Sequence, residues 1–214
     1  MVFTNFVMRL SAITFQQINE LNNRRISAQK SYKILVFGDV DVGKTSLVTR
    51  YVENRFSTID TNPTNTMVKS SRFVDTLVDS NIEIIVCDCP SCDTIDFDEY
   101  QNADAALFLY DMTRIETLKS TERWNEMVDM NIFPNVCVKL LVGTKRDDLD
   151  NRKVFLEMAR SHATKLDMFL HETSAKHGVE IENVFKAVCR RIRQRESTEV
   201  KTKRILKEKS RNFG

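Results

Sequence analysis

The loop Gly38-Asp39-Val40-Asp41-Val42-Gly43-Lys44-Thr45 has the spacing G-x-x-x-x-G-K-[ST], which is typical of phosphate binding. In such a loop the backbone N–H groups surround phosphate oxygens and the lysine ammonium reaches the β and γ phosphates. The threonine hydroxyl binds Mg²⁺. The apolar run Tyr32–Phe37 precedes the loop and a helical pattern follows it, as this motif requires. The predicted phosphate-binding residues here are Asp39, Val40, Asp41, Val42, Gly43, Lys44, Thr45 and Ser46.

A second segment, Thr144-Lys145-Arg146-Asp147, follows the apolar run Val136–Val142. Ligands bind at the carboxyl ends of the strands in open α/β sheets, so this segment is placed to meet a nucleotide base. The Asp147 carboxylate can accept hydrogen bonds from N1–H and the exocyclic amine of guanine, whereas adenine offers no such pair of donors. A third segment, Glu172-Thr173-Ser174-Ala175-Lys176, follows the last predicted strand. These segments predict a site that prefers guanine.

The stretch Ile85–Asp93 (IVCDCPSCD) contains three cysteines and has the composition of a metal site. A structural zinc site needs four ligands. Strand alternation sends Cys87 to the side opposite Asp88, and no histidine lies near Cys89 and Cys92 in the sequence. We therefore do not predict zinc binding in this stretch.

Strand and helix patterns alternate along the chain, which predicts βαβ units and a mostly parallel sheet. The predicted strands are Tyr32–Phe37, Ile82–Cys87, Ala105–Tyr110, Val136–Val142 and Met168–Leu170. The predicted helices are Lys44–Glu53, Ile115–Asp129, Lys153–Leu166 and Val179–Arg193. Residues 67–87 indicate a hairpin with a turn near Asp79-Ser80-Asn81. We predict a three-layer α/β fold with a six-stranded, mostly parallel sheet and one antiparallel edge strand.

Taken together, these motifs resemble the small GTPases of the Ras superfamily, nearest to the Rab-like branch. The resemblance rests on GDVDVGKT, YDMT, Trp124, GTKRDDL and ETSAK, which stand in that family's order across residues 31–195. It implies a P-loop G-domain that binds GTP and GDP with Mg²⁺ and changes conformation at residues 56–68 and 88–103. It also implies that effector and exchange-factor proteins bind through those switch regions, in vesicle trafficking or signalling.

The resemblance further implies how the base is held. Phe56 would pack against the guanine, Lys145 would support the ring, and the Ala175 backbone N–H would bind the base oxygen. Ordinary core packing is the alternative interpretation of Phe56. The implied guanine-binding set is Phe56, Thr144, Lys145, Asp147, Ser174, Ala175 and Lys176.

The implied metal ligands are Thr45, Thr64 and Asp88, the last of them through water. Thr64 stands one residue later than is usual in the family, counted from the phosphate loop, and Thr66 is a weaker substitute. Ser91 would supply a backbone N–H to the γ phosphate.

Two departures from the family pattern concern hydrolysis. Cys92 stands where the family has the glutamine that orients the attacking water, and a thiol is too short and too weak a hydrogen-bonding group to replace that amide. Val40 replaces a small residue, and its branched side chain crowds the space above the phosphate loop. We therefore assign no catalytic residue and predict slow or impaired GTP hydrolysis. The alternative is a GTPase-like scaffold or interaction module that does not hydrolyse GTP; an ATP-using P-loop kinase would leave TKRD and ETSAK unexplained.

Composition and charge fit one domain with extensions. The chain has 214 residues, 42% of them hydrophobic and 29% charged, and its five cysteines show no repeating spacing. An odd cysteine count without a signal peptide favours a reducing compartment, so we predict a cytoplasmic protein. No apolar run approaches the length of a membrane span.

The predicted domain boundaries are an amphipathic helical extension at residues 1–30, a G-domain at 31–195 and a basic tail or linker at 196–214. The extension could dock a partner, lie on a membrane or cover a groove on its own domain. From Arg190 to Gly214 there are ten Lys/Arg and three Glu, which attracts anionic surfaces. The sequence has no prenylation motif, so we predict at most peripheral membrane contact, and no nucleic-acid partner.

Overall fold

The computed structural model describes residues 30–56, 66–75, 78–87, 97–132 and 138–212. The strands are β1 (Lys30–Gly38), β2 (Thr66–Asp75), β3 (Val78–Cys87), β4 (Ala105–Asp111), β5 (Val138–Thr144) and β6 (Phe169–Glu172). The helices are α1 (Lys44–Glu53), α2 (Ile115–Asn131), α3 (Leu156–Lys165) and α4 (Ile181–Asn212), with a 3₁₀ turn at Phe97–Tyr100. The strands and helices therefore alternate as the sequence predicts.

The sheet is built around parallel pairs. β1 pairs in parallel with β3 and β4, β4 pairs with β5, and β5 pairs with β6. The register aligns Val36 with Leu107, and Leu107 with Leu140. β2 runs antiparallel to β3, and the strand order is β2-β3-β1-β4-β5-β6. The predicted α/β fold with a parallel sheet is confirmed.

The turn predicted near Asp79-Ser80-Asn81 is wrong, because these residues lie inside β3. The antiparallel pairing runs from Thr66 and Cys87 down to Asp75 and Val78, so the strands connect before Asp79. Small polar residues favour turns through local hydrogen bonds. Here Ser80 pairs with neighbours in both β1 and β2, and that pairing overrides the local preference.

Side chains alternate between the two faces of the sheet and bury two apolar layers. On one face Val36, Leu107 and Leu140 pack with Val184 and Val188 of α4, and α1 joins the same layer. On the other face the core is formed by residues of α2 and α3 against the strands, including Leu35, Phe37, Phe108, Leu141, Trp124, Val128 and Ala159. The two layers hold the carboxyl ends of β1, β4, β5 and β6 at one edge.

The last helix is longer than its sequence pattern indicates. The apolar periodicity ends near Arg193, but α4 continues to Asn212. No Gly or Pro interrupts residues 194–212, and Lys, Arg and Glu are good helix formers. Much of the stretch predicted as a tail or linker is therefore helical. The last buried residue described in α4 is Ile192.

The predicted N-terminal extension lies outside the described residues, except for Lys30 at the start of β1. In the described part of the chain, no helix combines the length and apolar character needed to cross a bilayer.

Candidate functional site

A cavity of about 390 Å³ lies at the carboxyl edge of the sheet. It brings together nine of the residues predicted from the sequence: Asp41, Gly43, Ser46, Phe56, Thr144, Lys145, Asp147, Ala175 and Lys176. Leu47, Asp148 and Thr173 also line it and were not predicted. The three sequence segments, which are far apart along the chain, thus meet around one space.

The phosphate loop runs from the end of β1 to the start of α1. Gly43 has φ 92 and Asp41 has φ 61, so the loop turns through the left-handed region on both sides of Val42. Lys44 is 5% exposed. Its Nζ donates to the Gly38 and Asp39 carbonyl oxygens, at 2.9 Å each. The Lys44 ammonium therefore reaches back across the phosphate loop to the residues at its start.

The outer part of the loop is tied to neighbouring elements. The Trp124 indole N–H donates to the Asp39 carboxylate at 2.9 Å. Arg114 Nη2 donates to the Val40 carbonyl oxygen at 3.0 Å. The Val40 side chain itself is 54% exposed, so it projects from the loop without being packed into the core.

Thr144 joins the phosphate loop to the loop after β5. Its buried hydroxyl lies 2.6 Å from the Val42 carbonyl oxygen and 3.0 Å from that of Tyr110. A hydroxyl has one proton, so the two carbonyls share one donor. The contact fixes the spacing between the loop at residues 38–45, on what we call the phosphate side of the cavity, and the loops after β5 and β6, on its base side.

Asp147 is positioned by the third segment. Ser174 Oγ donates to Asp147 Oδ1 at 2.5 Å, and the His177 N–H donates to Ser174 Oγ at 3.1 Å. Reciprocal backbone hydrogen bonds between Ser174 and Val179 close the loop of four residues that lies between them. The carboxylate that the sequence assigns to base recognition is thus held at the cavity wall.

Lys145 and Asp111 form an ion pair next to the cavity. Lys145 has φ 58, and its Nζ lies 2.7 Å from Asp111 Oδ2. Arg114 Nε lies 3.1 Å from the same oxygen, while Thr113 donates to the other oxygen through its N–H and hydroxyl. Burial raises the pKa of the Asp111 carboxyl, but the hydrogen bonds from Lys145 and Thr113 outweigh burial and leave this pKa below its usual value.

Four predicted site residues lie outside the described ranges: Thr64, Asp88, Ser91 and Cys92. Cys89 lies there too. The described residues contain no cluster of three or more His, Cys, Asp or Glu side chains that would hold a metal ion. Of the predicted metal ligands, the structure therefore describes only Thr45, which is half-buried in the first turn of α1.

Sequence reasoning missed the residues that brace the loops. Asp111 and Trp124 were noted only as family markers, and Arg114 was not singled out. Their contacts join residues that are up to 85 positions apart in the chain, as between Trp124 and Asp39. No local pattern reveals such a pairing, although a charged residue at the end of a buried strand was a usable signal for Asp111.

Comparison with known proteins agrees with this geometry. The sequence pattern of the Ras family matches residues 33–194. The chain is similar to the Ras-related protein RABF2b of Arabidopsis thaliana, with 28% identity over 88% of this chain and 92% of the relative. It is also similar to Rab-17 of Mus musculus, with 29% identity over 76% of each chain. The Ras-related protein Rab-1C of Dictyostelium discoideum is 32% identical over 72% of this chain and 76% of its own length.

Proposed function

This chain belongs to the Ras family, as a divergent Rab-like small GTPase, and from that premise we propose that it is a guanine-nucleotide switch with slow or impaired GTP hydrolysis. Its role would be the regulation of vesicle trafficking or signalling. The observation that carries the proposal is the meeting of the three predicted segments around one cavity of about 390 Å³.

The base side of the cavity suits guanine. Asp147, fixed by Ser174, presents a carboxylate acceptor for the N1–H and the exocyclic amine. Phe56 lines the same cavity, and its aromatic ring would pack against the guanine. Lys145 would support the ring, the Ala175 backbone N–H would bind the base oxygen, and Lys176 belongs to the same proposed guanine-binding set.

The phosphate side suits a polyphosphate with Mg²⁺. The loop residues 39–46 surround the start of α1, where backbone N–H groups and the helix dipole favour anions. The buried Lys44 ammonium adds a positive charge at the centre of this loop. Mg²⁺, where bound, neutralises phosphate charge. Thr45 would hold it together with Thr64 and, through water, Asp88; Ser91 would meet the γ phosphate.

Slow hydrolysis is proposed from two residues. Cys92 cannot orient a water molecule as a glutamine does. Val40 is exposed, and its branched side chain would crowd the space above the phosphate loop that a partner's inserted arginine needs. The same two residues support the second candidate, a GTPase-like scaffold that binds nucleotide without turnover.

The proposal also gives the extent of the domain, its partner-binding regions and its location in the cell. The G-domain would span residues 31–195, which the match to residues 33–194 supports, between the extension at 1–30 and the basic segment at 196–214. Its sheet would have six strands with β2 as an antiparallel edge, as the strand order indicates. Effectors and exchange factors would bind at residues 56–68 and 88–103. The protein would be cytoplasmic, with only peripheral membrane contact.

The first experiment loads the purified protein with GTP and Mg²⁺ and chromatographs the extracted nucleotide over several hours. We expect GTP to remain bound and to convert to GDP slowly. GTP that persists unchanged would favour the scaffold, whereas rapid conversion would show that another group replaces the glutamine. Lys44→Ala should lose the nucleotide, and Lys186→Ala, which alters a half-buried lysine of α4 paired with Glu182, is the matched control. Absence of any bound guanine nucleotide in the unaltered protein would refute the proposal.

The double variant Cys92→Gln/Val40→Gly tests the assigned cause of slow hydrolysis. It restores the water-orienting amide and the space above the loop, so we expect the single-turnover rate to rise by at least about tenfold. Each single variant serves as a control, since either change alone leaves one obstacle in place. An unchanged rate in the double variant would show that these two residues do not limit hydrolysis.

A further inference from the structure

Arg50, in the last turn of α1, makes three hydrogen bonds to backbone carbonyls at the base side of the cavity. Its Nε donates to the Ala175 oxygen at 2.6 Å and its Nη2 to the Lys176 oxygen at 3.0 Å. Its Nη1 donates to the Asn54 oxygen at 3.0 Å. A planar guanidinium has five donors in a fixed fork, so one side chain can satisfy three carbonyls at defined angles.

The first two contacts orient peptide groups of the loop at residues 173–180, between β6 and α4, which we call the base-side loop. In a planar trans peptide the N–H points opposite to the C=O. Because the Ala175 and Lys176 carbonyls face Arg50, the N–H groups of Lys176 and His177 point away from it. The His177 N–H does so by donating to Ser174 Oγ at 3.1 Å, and Ser174 Oγ in turn donates to Asp147.

The same geometry applies to the Lys176 N–H, which shares a peptide with the Ala175 carbonyl and would be a second donor to the base oxygen beside the Ala175 N–H. Ala175 and Lys176 both line the cavity with Asp147. A cation on one end of a peptide polarises it and strengthens the N–H at the other end as a donor. Guanine presents a carbonyl acceptor at position 6 of the ring, whereas adenine presents an amine, which cannot pair with such a donor.

Arg50 also contacts the segment that leads to Phe56, which lines the cavity. Asn54 ends α1 in the left-handed conformation, with φ 50, and the chain reaches Phe56 two residues later. The hydrogen bond from Arg50 to the Asn54 carbonyl therefore helps to fix where Phe56 enters the cavity. Arg50 therefore holds both the segment that leads to Phe56 and the loop that contains Ala175 and Lys176.

We propose that Arg50 is a positioning residue that sets the preference of the site for a purine with an oxygen at position 6. This inference rests on the proposed function, because it assumes that the cavity binds guanine. Arg50 would act on the base through the loop that it holds.

The test compares GDP with 6-thio-GDP, in which sulfur, a weaker acceptor, replaces the 6-oxygen. Dissociation constants are measured for the unaltered protein, Arg50→Gln, Arg50→Lys and the control Arg160→Gln, an exposed arginine of α3. We expect Arg50→Gln to weaken GDP about tenfold and 6-thio-GDP less than about threefold, because the lost donor strength matters most for the oxygen. Arg50→Lys keeps the charge but not the fork, so we expect an intermediate loss for GDP, and Arg160→Gln should change neither constant.

Thermal melting separates a folding defect from a binding defect, and Arg50→Lys decides the matter if Arg50→Gln does not fold. Equal weakening of both nucleotides, or no weakening, would overturn the inference and leave Arg50 a structural role only. If the unaltered protein binds GDP but each variant weakens GDP and 6-thio-GDP by the same factor, only this inference fails. If the unaltered protein binds no GDP, the proposed function fails and the inference fails with it.

Discussion

At the scale of single residues, Asp111 is the carboxylate that connects the loops of the site, because both Lys145 and Arg114 contact it. Its side chain is 1% exposed and meets two cations. Lys145 leads to the base side of the cavity, whereas Arg114 leads to the Val40 carbonyl on the phosphate side. A buried carboxylate is tolerated only when it is paired in this way. Asp111 therefore couples the two halves of the site although it is not among the residues that line the cavity.

Asp111→Asn tests this coupling. The amide keeps the size but loses the charge that pairs with both cations, so we expect a loss of about 1–3 kcal/mol in the free energy of unfolding. The lowered pKa of Asp111 means that its charge stabilises the fold above the unfolded-state pKa of about 3.9. That stability is lost as the pH falls through the folded-state pKa, which lies lower.

The measurement is urea unfolding of both proteins between pH 3 and 8. The difference between them should be constant in the neutral range and shrink below about pH 4. Asp150→Asn, at an exposed position in the loop after β5, is the control. A difference that stays the same on acidification would attribute the loss to amide packing instead of charge.

At the scale of elements, the end of β5 must pass close to β4. A Cβ added at Gly143 would lie 2.7 Å from Tyr110 Oη and 2.8 Å from Cζ. Gly143 therefore leaves room for the end of the buried Tyr110 side chain, which a Cβ would displace. The next residues are Thr144 and Lys145, so the contact with Tyr110 affects where the loop after β5 begins.

Gly143→Ala should destabilise the fold by about 1–3 kcal/mol through overpacking, and it should weaken GDP binding as β5 shifts. Thermal melting and GDP titration measure the two effects. Gly178→Ala is the contrast, because its nearest contact is Arg50 Cδ at 4.0 Å and only its φ of 69 is strained. In the double variant Gly143→Ala/Tyr110→Leu, the smaller side chain should recover part of the loss. Full additivity would rule out the contact with Tyr110 as the cause.

How much of the site could be predicted from the sequence differs from one element to the next. The phosphate loop was predictable because Gly43, Lys44 and Thr45 are adjacent in the chain and the motif has one geometry. The contact between Arg50 and Ala175 was not, since 125 positions separate them and neither residue is unusual where it stands. The turn near Asp79 was misplaced because strand pairing outweighed a local preference.

At the scale of the whole molecule, the core of the domain ends before α4 does. Ile192 is the last buried residue described on this helix, while Val200 and Leu206 are 66% and 60% exposed. Among the α4 residues whose burial is described, those after Ile192 contribute no core. The globular part is therefore stabilised by the first third of the helix.

Truncation after Glu196 should leave the melting temperature within about 2–4 °C of that of the full chain, because the removed surface is worth less than about 1 kcal/mol. Helical circular dichroism should fall at the same time. Truncation after Lys186, which removes the buried residues Val188, Cys189 and Ile192, is the control and should prevent stable folding. A large drop in melting temperature on the shorter truncation would reveal contacts of the distal helix with the domain.

The continuity of α4 has a mechanical consequence. The helix starts three residues after Gly178, at the end of the loop that Arg50 holds, and its 32 residues span about 48 Å at 1.5 Å per residue. Of the α4 residues whose burial is described, only those in the first third pack into the core beside the sheet. A force applied by a partner at the far end would therefore be transmitted along this one element to the base-side loop and to the part of the core that α4 covers.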